Sequence, residues 1–242
     1  MGGDRLRFAA EGTCRSPTGD SDLTGASMKT AIAGGHGKIA LALARLLRDR
    51  GDQPRSLIRD PGQSQDVRDA GGEPVVVDLE NATDEELDAA LTDCRAVVFA
   101  AGAGEGSGPE RKETVDYGAA VRLVEAARRN GIARYVMISA AGADPEIEGD
   151  EGFAVYLRAK GRADQALAES GLDFTIVRPV RLTDHAGTGL VATDEQTMEG
   201  DIPREDVAES VAEALRQDGL IGVTFRLGSG DTRIAEALRS LA

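Results

Sequence analysis

From residue 28 onward the chain alternates between two hydrophobic periods. Short apolar runs recur at KTAIAG (29–34), RSLIR (55–59), PVVVDL (74–79), AVVFAAG (96–102), RYVMISA (134–140), DFTIVRP (173–179) and GVTFRLG (222–228). Their unbroken Val/Ile/Ala character predicts strands covered on both faces. Between them lie stretches with helical spacing. KIALALARLLRDRG (38–51) puts Ile39, Leu43, Leu46 and Leu47 on one face and stops at Gly51. TDEELDAALTDC (83–94) carries acidic residues in its first turn, where they suit a helix dipole. TVDYGAAVRLVEAARRNG (114–131), FAVYLRAKGRADQALAESG (153–171), REDVAESVAEALRQDG (204–219) and TRIAEALRSLA (232–242) read as further helices. Strands alternating with helices imply parallel pairing and right-handed crossovers. The expectation is a single α/β domain over 28–242. Its fold is a doubly wound Rossmann type, with a mostly parallel sheet of about seven strands and helices on both faces.

Residues 1–27 break the pattern. They are rich in Gly, Ser, Thr and Asp, show no periodicity and lack the apolar stretch of a signal peptide. They read as a disordered tail, or as the product of a start assigned upstream of Met28. The formal charge of −14 disfavours nucleic acid and anionic membrane as partners. No apolar run approaches the roughly 20 residues of a membrane helix. Cys14, Cys94, His36 and His185 form no ligand motif, so no metal is expected. The composition reads as that of a soluble protein of a reducing, cytoplasmic compartment; a small-molecule substrate is the expected partner, and monomer or homodimer stays open.

Gly34, Gly37 and Ala40 form G-x-x-G-x-x-A at the first strand–helix turn. In such a turn the first glycine permits the bend. The second lets backbone N–H groups approach a pyrophosphate, and the third small residue lets helix pack on strand. Strand two ends in LIRDP. Arg59 stands where a 2′-phosphate of NADP would lie, and a guanidinium grips phosphate bidentately. Asp60 is the competing candidate, for the ribose of NAD. Lys38 is a second cation beside the turn, and His36 and Ile39 complete the candidate set there. Asp78 and Leu79, ending strand three, are candidates for the adenine amino group and ring face. Ala101 and Gly102 offer bare backbone to the ribose and pyrophosphate.

Tyr156 and Lys160 are four apart on one predicted helix and share a face. Ser139 ends strand five, on the ligand side of such a sheet. Together they make a carbonyl-reduction set. The tyrosine, lowered by the neighbouring ammonium, would pass a proton to a developing alkoxide. Lys160 would also hold the nicotinamide ribose, and Ser139 would hydrogen-bond the substrate oxygen. Chance supplies such a Tyr-x-x-x-Lys only about 0.05 times in a chain of this content.

The stretches IAGGHGKIA, LIRDP, TVDYGAAVRLVEAARRNGIARYVMISA, YLRAKGRADQALAESGLDFTIVRP and IPREDVAESVAEAL resemble the NmrA-like branch of the atypical short-chain dehydrogenase/reductases over almost all of 28–242. The resemblance implies a Rossmann sheet and a cofactor on Gly34, Gly37 and Arg59. It also implies a nicotinamide near Ser139, Tyr156, Lys160 and the Arg178-Pro179 loop. NADP is the expected cofactor, with NAD the alternative. The branch contains reductases of quinones, flavins or biliverdin, epimerase-like relatives that retain NAD, and redox sensors without turnover. The intact tyrosine here favours catalysis. Gly35-His36 and Val180 depart from the branch pattern, and the short segment 181–203 predicts a small lid.

Overall fold

The computed structural model describes residues 27–104, 106–193 and 200–242. The tail expected over residues 1–27 lies, but for Ser27, outside them. In chain order the elements are β1 (Lys29–Ala33), α1 (Lys38–Asp49), β2 (Gln53–Ile58), α2 (Ser64–Asp69), β3 (Glu73–Val76), α3 (Asp84–Ala90) and β4 (Ala96–Phe99). Then come α4 (Pro109–Arg111), a π-helical stretch (Lys112–Ala119), α5 (Ala120–Arg129), β5 (Arg134–Ile138), α6 (Gly152–Ala168) and β6 (Asp173–Pro179). The chain closes with β7 (Arg181–Thr183), β8 (Leu190–Ala192), β9 (Asp201–Pro203), α7 (Arg204–Ala214), β10 (Val223–Ser229), β11 (Thr232–Arg233) and α8 (Ile234–Arg239).

The main sheet runs β11-β8-β10-β6-β5-β4-β1-β2-β3. From β10 to β3 every pairing is parallel. These are the expected strands, and their order reverses between β1 and β4. A crevice at the carboxyl ends of the strands is therefore built at that switch point. The strand count differs from the expectation. β8 and β11 add an antiparallel edge, and β7 pairs with β9 in a separate ribbon. Each has three residues or fewer, too short for a period to register. Thr232 and Arg233, expected to open the last helix, pair instead with Val191 and Leu190. Helix α2 is a further addition, with Val67 its one buried residue.

Two apolar layers sandwich the sheet. Leu43 and Leu47 of α1 and Val207 and Val211 of α7 pack with Ile32, Val98 and Val136. Leu87 of α3, Leu123 of α5 and Leu167 of α6 pack on the other face with Ala31, Phe99, Tyr135 and Met137. Successive β1 residues thus serve opposite layers, as a pleated strand buried on both faces requires. Each buried Leu contributes about 2 kcal/mol of transfer free energy. Helix α3 begins at a capping box, with Thr83 and Glu86 hydrogen-bonded reciprocally. That start, with Arg122 reaching from α5 to the carbonyls of Leu79, Glu80 and Ala82, fixes the loop that walls one end of the crevice.

Candidate functional site

The turn after β1 is shaped by what its glycines lack. Gly34 has φ +72°, and a Cβ on it would stand 2.7 Å from Ala101 Cα. Only glycine lets the turn seat against the end of β4. A Cβ on Gly35 would lie 2.5 Å from the Ser56 side chain. Gly37 is different: a Cβ there would meet only the Gly34 carbonyl, at 3.1 Å. It caps α1 with extended backbone, no side chain caps that helix, and its first turn holds no acid. Unpaired N–H groups and the positive helix end thus face a cavity of about 330 Å³ lined by Gly34, His36, Gly37, Arg59, Asp78, Leu79, Ala101 and Gly102. This bare, donor-rich cradle fits a pyrophosphate. Ala40 is buried beneath it, as the small third position requires.

The polar candidates at this end divide. Arg59 lies on the cavity, mostly exposed, 3.9 Å from Glu80, which also pairs with Arg111 at 3.1 Å. Asp60 turns elsewhere: its carboxylate accepts from Gly62 N at 2.8 Å and caps a turn over Pro61–Gln63. Asp78 lines the cavity but organises its own loop, accepting from Asn81 Nδ2 at 2.8 Å and Glu80 N at 3.0 Å. The Asn81 hydrogen bond holds its carboxyl below the usual range. His36 pairs with Asp66 of α2 at 2.7 Å. Lys38, expected near the phosphates, instead reaches Asp184, which Arg204 also binds, and so ties α1 to the start of α7.

Toward the other end, Ala100–Ala103 continue as walls of a second cavity of about 590 Å³, which also touches Ile39, Ser139, Tyr156 and Lys160. Ser139 and Tyr156 are shared in turn with a third, of about 690 Å³, that reaches Pro179. The three make one continuous cleft along the carboxyl ends of the strands. Helix α6 presents Tyr156, Lys160 and Asp164 at successive turns of one face. Ser139 donates to Asp164 Oδ2 at 2.8 Å, and Arg178 Nε donates to the same oxygen at 2.9 Å. Lys160 is only 3% exposed. Its ammonium lies 3.2 Å from Ile138 O, 3.4 Å from Ala101 O and 3.4 Å from Asp116, itself 1% exposed.

Asp116 and Asp164 did not enter the candidate set. The spacing Tyr-x-x-x-Lys-x-x-x-Asp was a signal for Asp164, and an acid within an apolar helical stretch was one for Asp116. Their presence changes the electrostatics expected at Tyr156. Burial pushes its phenol up; Lys160 pulls it down, while Asp116 and Asp164 add to the rise. Lys160 acts in the expected direction, but burial outweighs it and Asp116 and Asp164 oppose it, so the net shift is upward. Burial also pushes the Asp164 carboxyl up, against Arg178 and the Ser139 hydrogen bond. Among the described residues no hydrogen bond joins Tyr156 to Ser139 or Lys160. Of the expected lid, residues 194–199 lie outside the described residues.

A parallel sheet reversing at a glycine turn defines a dinucleotide-binding protein of the Rossmann class. The model of the NAD(P)H-binding family matches residues 34–218, and the chain belongs to that family, which is consistent with the resemblance to the atypical short-chain dehydrogenase/reductases. It is 37% identical over 215 residues to the Bacillus subtilis protein named "Uncharacterized sugar epimerase YhfK", covering 88% of this chain and all of the relative. A solved structure from Bacillus halodurans, provisionally named an NAD-dependent epimerase/dehydratase, superposes with TM-score 0.82 at 35% identity, covering 88% of this chain and 100% of that one. The crystal structure of the oxidoreductase YlbE from Lactococcus lactis superposes with TM-score 0.76 at 28% identity, over 88% and 96% of the two chains. Among the described residues no helix is long and apolar enough to cross a membrane.

Proposed function

We propose that the protein is an NADP(H)-dependent oxidoreductase that reduces a small carbonyl, quinone or flavin-type substrate. The observation that carries this reading is one cavity walled by Ser139, Tyr156 and Lys160 that shares Ala100–Ala103 with the cavity at the glycine turn. NADP is favoured over NAD because Arg59 faces the cavity, whereas the carboxylate of Asp60 is spent on Gly62. When bound, a reduced nicotinamide supplies a hydride to an electron-poor carbon. Tyr156 gives its proton to the oxygen of that carbon, so a carbonyl becomes an alcohol; a quinone treated in the same way becomes the hydroquinone once the added hydrogen leaves that carbon as a proton and the second oxygen takes one up. The tyrosinate recovers a proton from water. A phenol pushed up by burial is protonated at neutral pH and suits this direction. Lys160, held by Asp116 and two carbonyls, supplies fixed positive charge beside it. Ser139 commits its own proton to Asp164, which leaves Tyr156 as the donor to substrate.

The names of the Bacillus relatives favour a second reading, an epimerase that keeps NAD bound. That chemistry opens by removing a proton from an alcohol, and a raised phenol opposes it. A redox sensor would bind NADP without turnover. NADPH oxidation with quinones, flavins and small aldehydes separates the three. The expected result is turnover that Tyr156→Phe lowers about a hundredfold or more. Turnover untouched by that change, or tightly held NAD with no net consumption, overturns the reductase reading.

A further inference from the structure

The substrate half of the cleft holds two features that the reaction above does not use. Phe153, at the first turn of α6, is 69% exposed although it is large and apolar. It borders both the second and third cavities, and its ring lies 6.1 Å from that of Tyr156 with the planes 28° apart. An exposed phenyl beside the proton donor offers a flat apolar face to whatever enters. The second feature is Lys112. Arg181 and Arg204, which line the third cavity, pair with Asp201 and Asp184. Lys160 in the second pairs with Asp116. Lys112 also lines the second cavity, but among the described residues no carboxylate lies within ion-pair distance of it. Among the described residues its hydrogen bond goes to the Ser107 carbonyl, at 3.0 Å. Its ammonium stands 3.4 Å from where a Cβ of Gly152 would be, next to the attachment of Phe153. In a chain of net charge −14, a cavity cation with no acid partner among the described residues is conspicuous.

We infer that the substrate is a planar aromatic compound carrying an anionic group, its ring stacked on Phe153 and its anion bound by Lys112. This rests on the reductase reading for the reaction but not for the recognition. A flat ring on Phe153 lies alongside Tyr156, which places an oxygen substituent within reach of the phenol. An anionic group on the same ring meets Lys112 across the α6 start. Aliphatic aldehydes have neither handle. Stacking adds to simple burial, and an ammonium–anion contact in a partly desolvated pocket exceeds a neutral hydrogen bond.

The test is calorimetric titration of the full chain saturated with NADP⁺, using naphthalene-2-sulfonate, 2-naphthalenemethanol and cyclohexanesulfonate as non-reducible probes. The inference expects naphthalenesulfonate to bind about tenfold tighter than either other probe. Lys112→Met should erase the advantage over the neutral naphthalene and leave the neutral probe unchanged. Phe153→Leu, which keeps bulk without a ring, should erase the advantage over cyclohexanesulfonate. Both variants should keep wild-type NADP⁺ affinity. Equal binding of the three probes, or a preference untouched by either substitution, overturns the inference. Recognition as expected with no substrate ever reduced would sink the reductase reading and leave this one standing. Turnover confined to aliphatic carbonyls would do the reverse.

Discussion

The two ends of the cleft are made of different material. The end proposed for the cofactor comes from consecutive strand–helix turns: Gly34–Gly37 after β1, Arg59 after β2, Asp78 and Leu79 after β3. At the glycine turn its surface is backbone, bare where a Cβ would otherwise stand. The substrate end draws Lys112, Ser139, Phe153, Tyr156 and Leu182 from distant parts of the chain. Its shape depends on paired side chains, Asp116 with Lys160 and Ser139 with Asp164 and Arg178. An end built from backbone fails when atoms are added. An end built from side chains fails when a partner is taken away.

The largest effect should come from adding one methyl group to the first kind. Gly34→Ala puts a Cβ 2.7 Å from Ala101 Cα at φ +72°, and both insults act together. A loss of about 3 kcal/mol or more is expected, seen as a lower Tm and urea midpoint. Gly37→Ala should behave otherwise, since its Cβ meets a single carbonyl oxygen. The fold should persist while NADPH affinity, read by fluorescence titration, drops about tenfold. If the two variants melt alike, the division between a packing glycine and a ligand glycine is wrong.

Arg59→Asp addresses the charged side chain proposed to read the cofactor's 2′-phosphate. On the proposed reading it removes a bidentate phosphate contact and installs a carboxylate that repels phosphate and suits a ribose. NADPH should weaken by more than about tenfold while NADH changes little or improves. The ratio of the two dissociation constants, wild type against variant, is the measurement. A wild type that already prefers NADH would return the ribose to Asp60.

What the amino-acid pattern revealed follows the same division. The parallel strands were legible because burial on both faces writes continuous Val/Ile runs, and the glycine turn because its residues are neighbours in sequence. The strands β7, β8, β9 and β11 were not, because so few residues carry no period. At the substrate end the spacing of Tyr156 and Lys160 showed that they share a helix face. It could not show that burial outweighs the ammonium at Tyr156, nor that Asp116, brought in by a π-helical stretch, would stand against Lys160. Lys38 is the plainest case. Adjacent to Gly37, it reads as a phosphate ligand, yet its partner Asp184 is 146 residues away. Local pattern carries no information at that range.

Lys38→Met should therefore have the smallest effect and the sharpest meaning. Both members of the pair are exposed, with side-chain accessibilities of 66% and 55%, so solvent screens their attraction. NADPH affinity should change by less than about twofold, against the large loss expected for Arg59→Asp. The variant should also alter how stability depends on pH. The hydrogen bond from Lys38 is the leading reason that the Asp184 carboxyl lies below its usual range, with Arg204 adding to it. A carboxyl lowered in the folded state contributes stability above its unfolded pKa, and that contribution is lost as the pH falls through the folded value. Wild type should thus be slightly more stable than Lys38→Met at neutral pH, and the two should converge in acid, where Asp184 is protonated in both. Urea midpoints measured from neutral pH down through the carboxylate range would show this. An NADPH affinity that falls as far as it does in Arg59→Asp would mean that Lys38 leaves Asp184 for the cofactor, and that the cofactor end enlists a second cation beside Arg59.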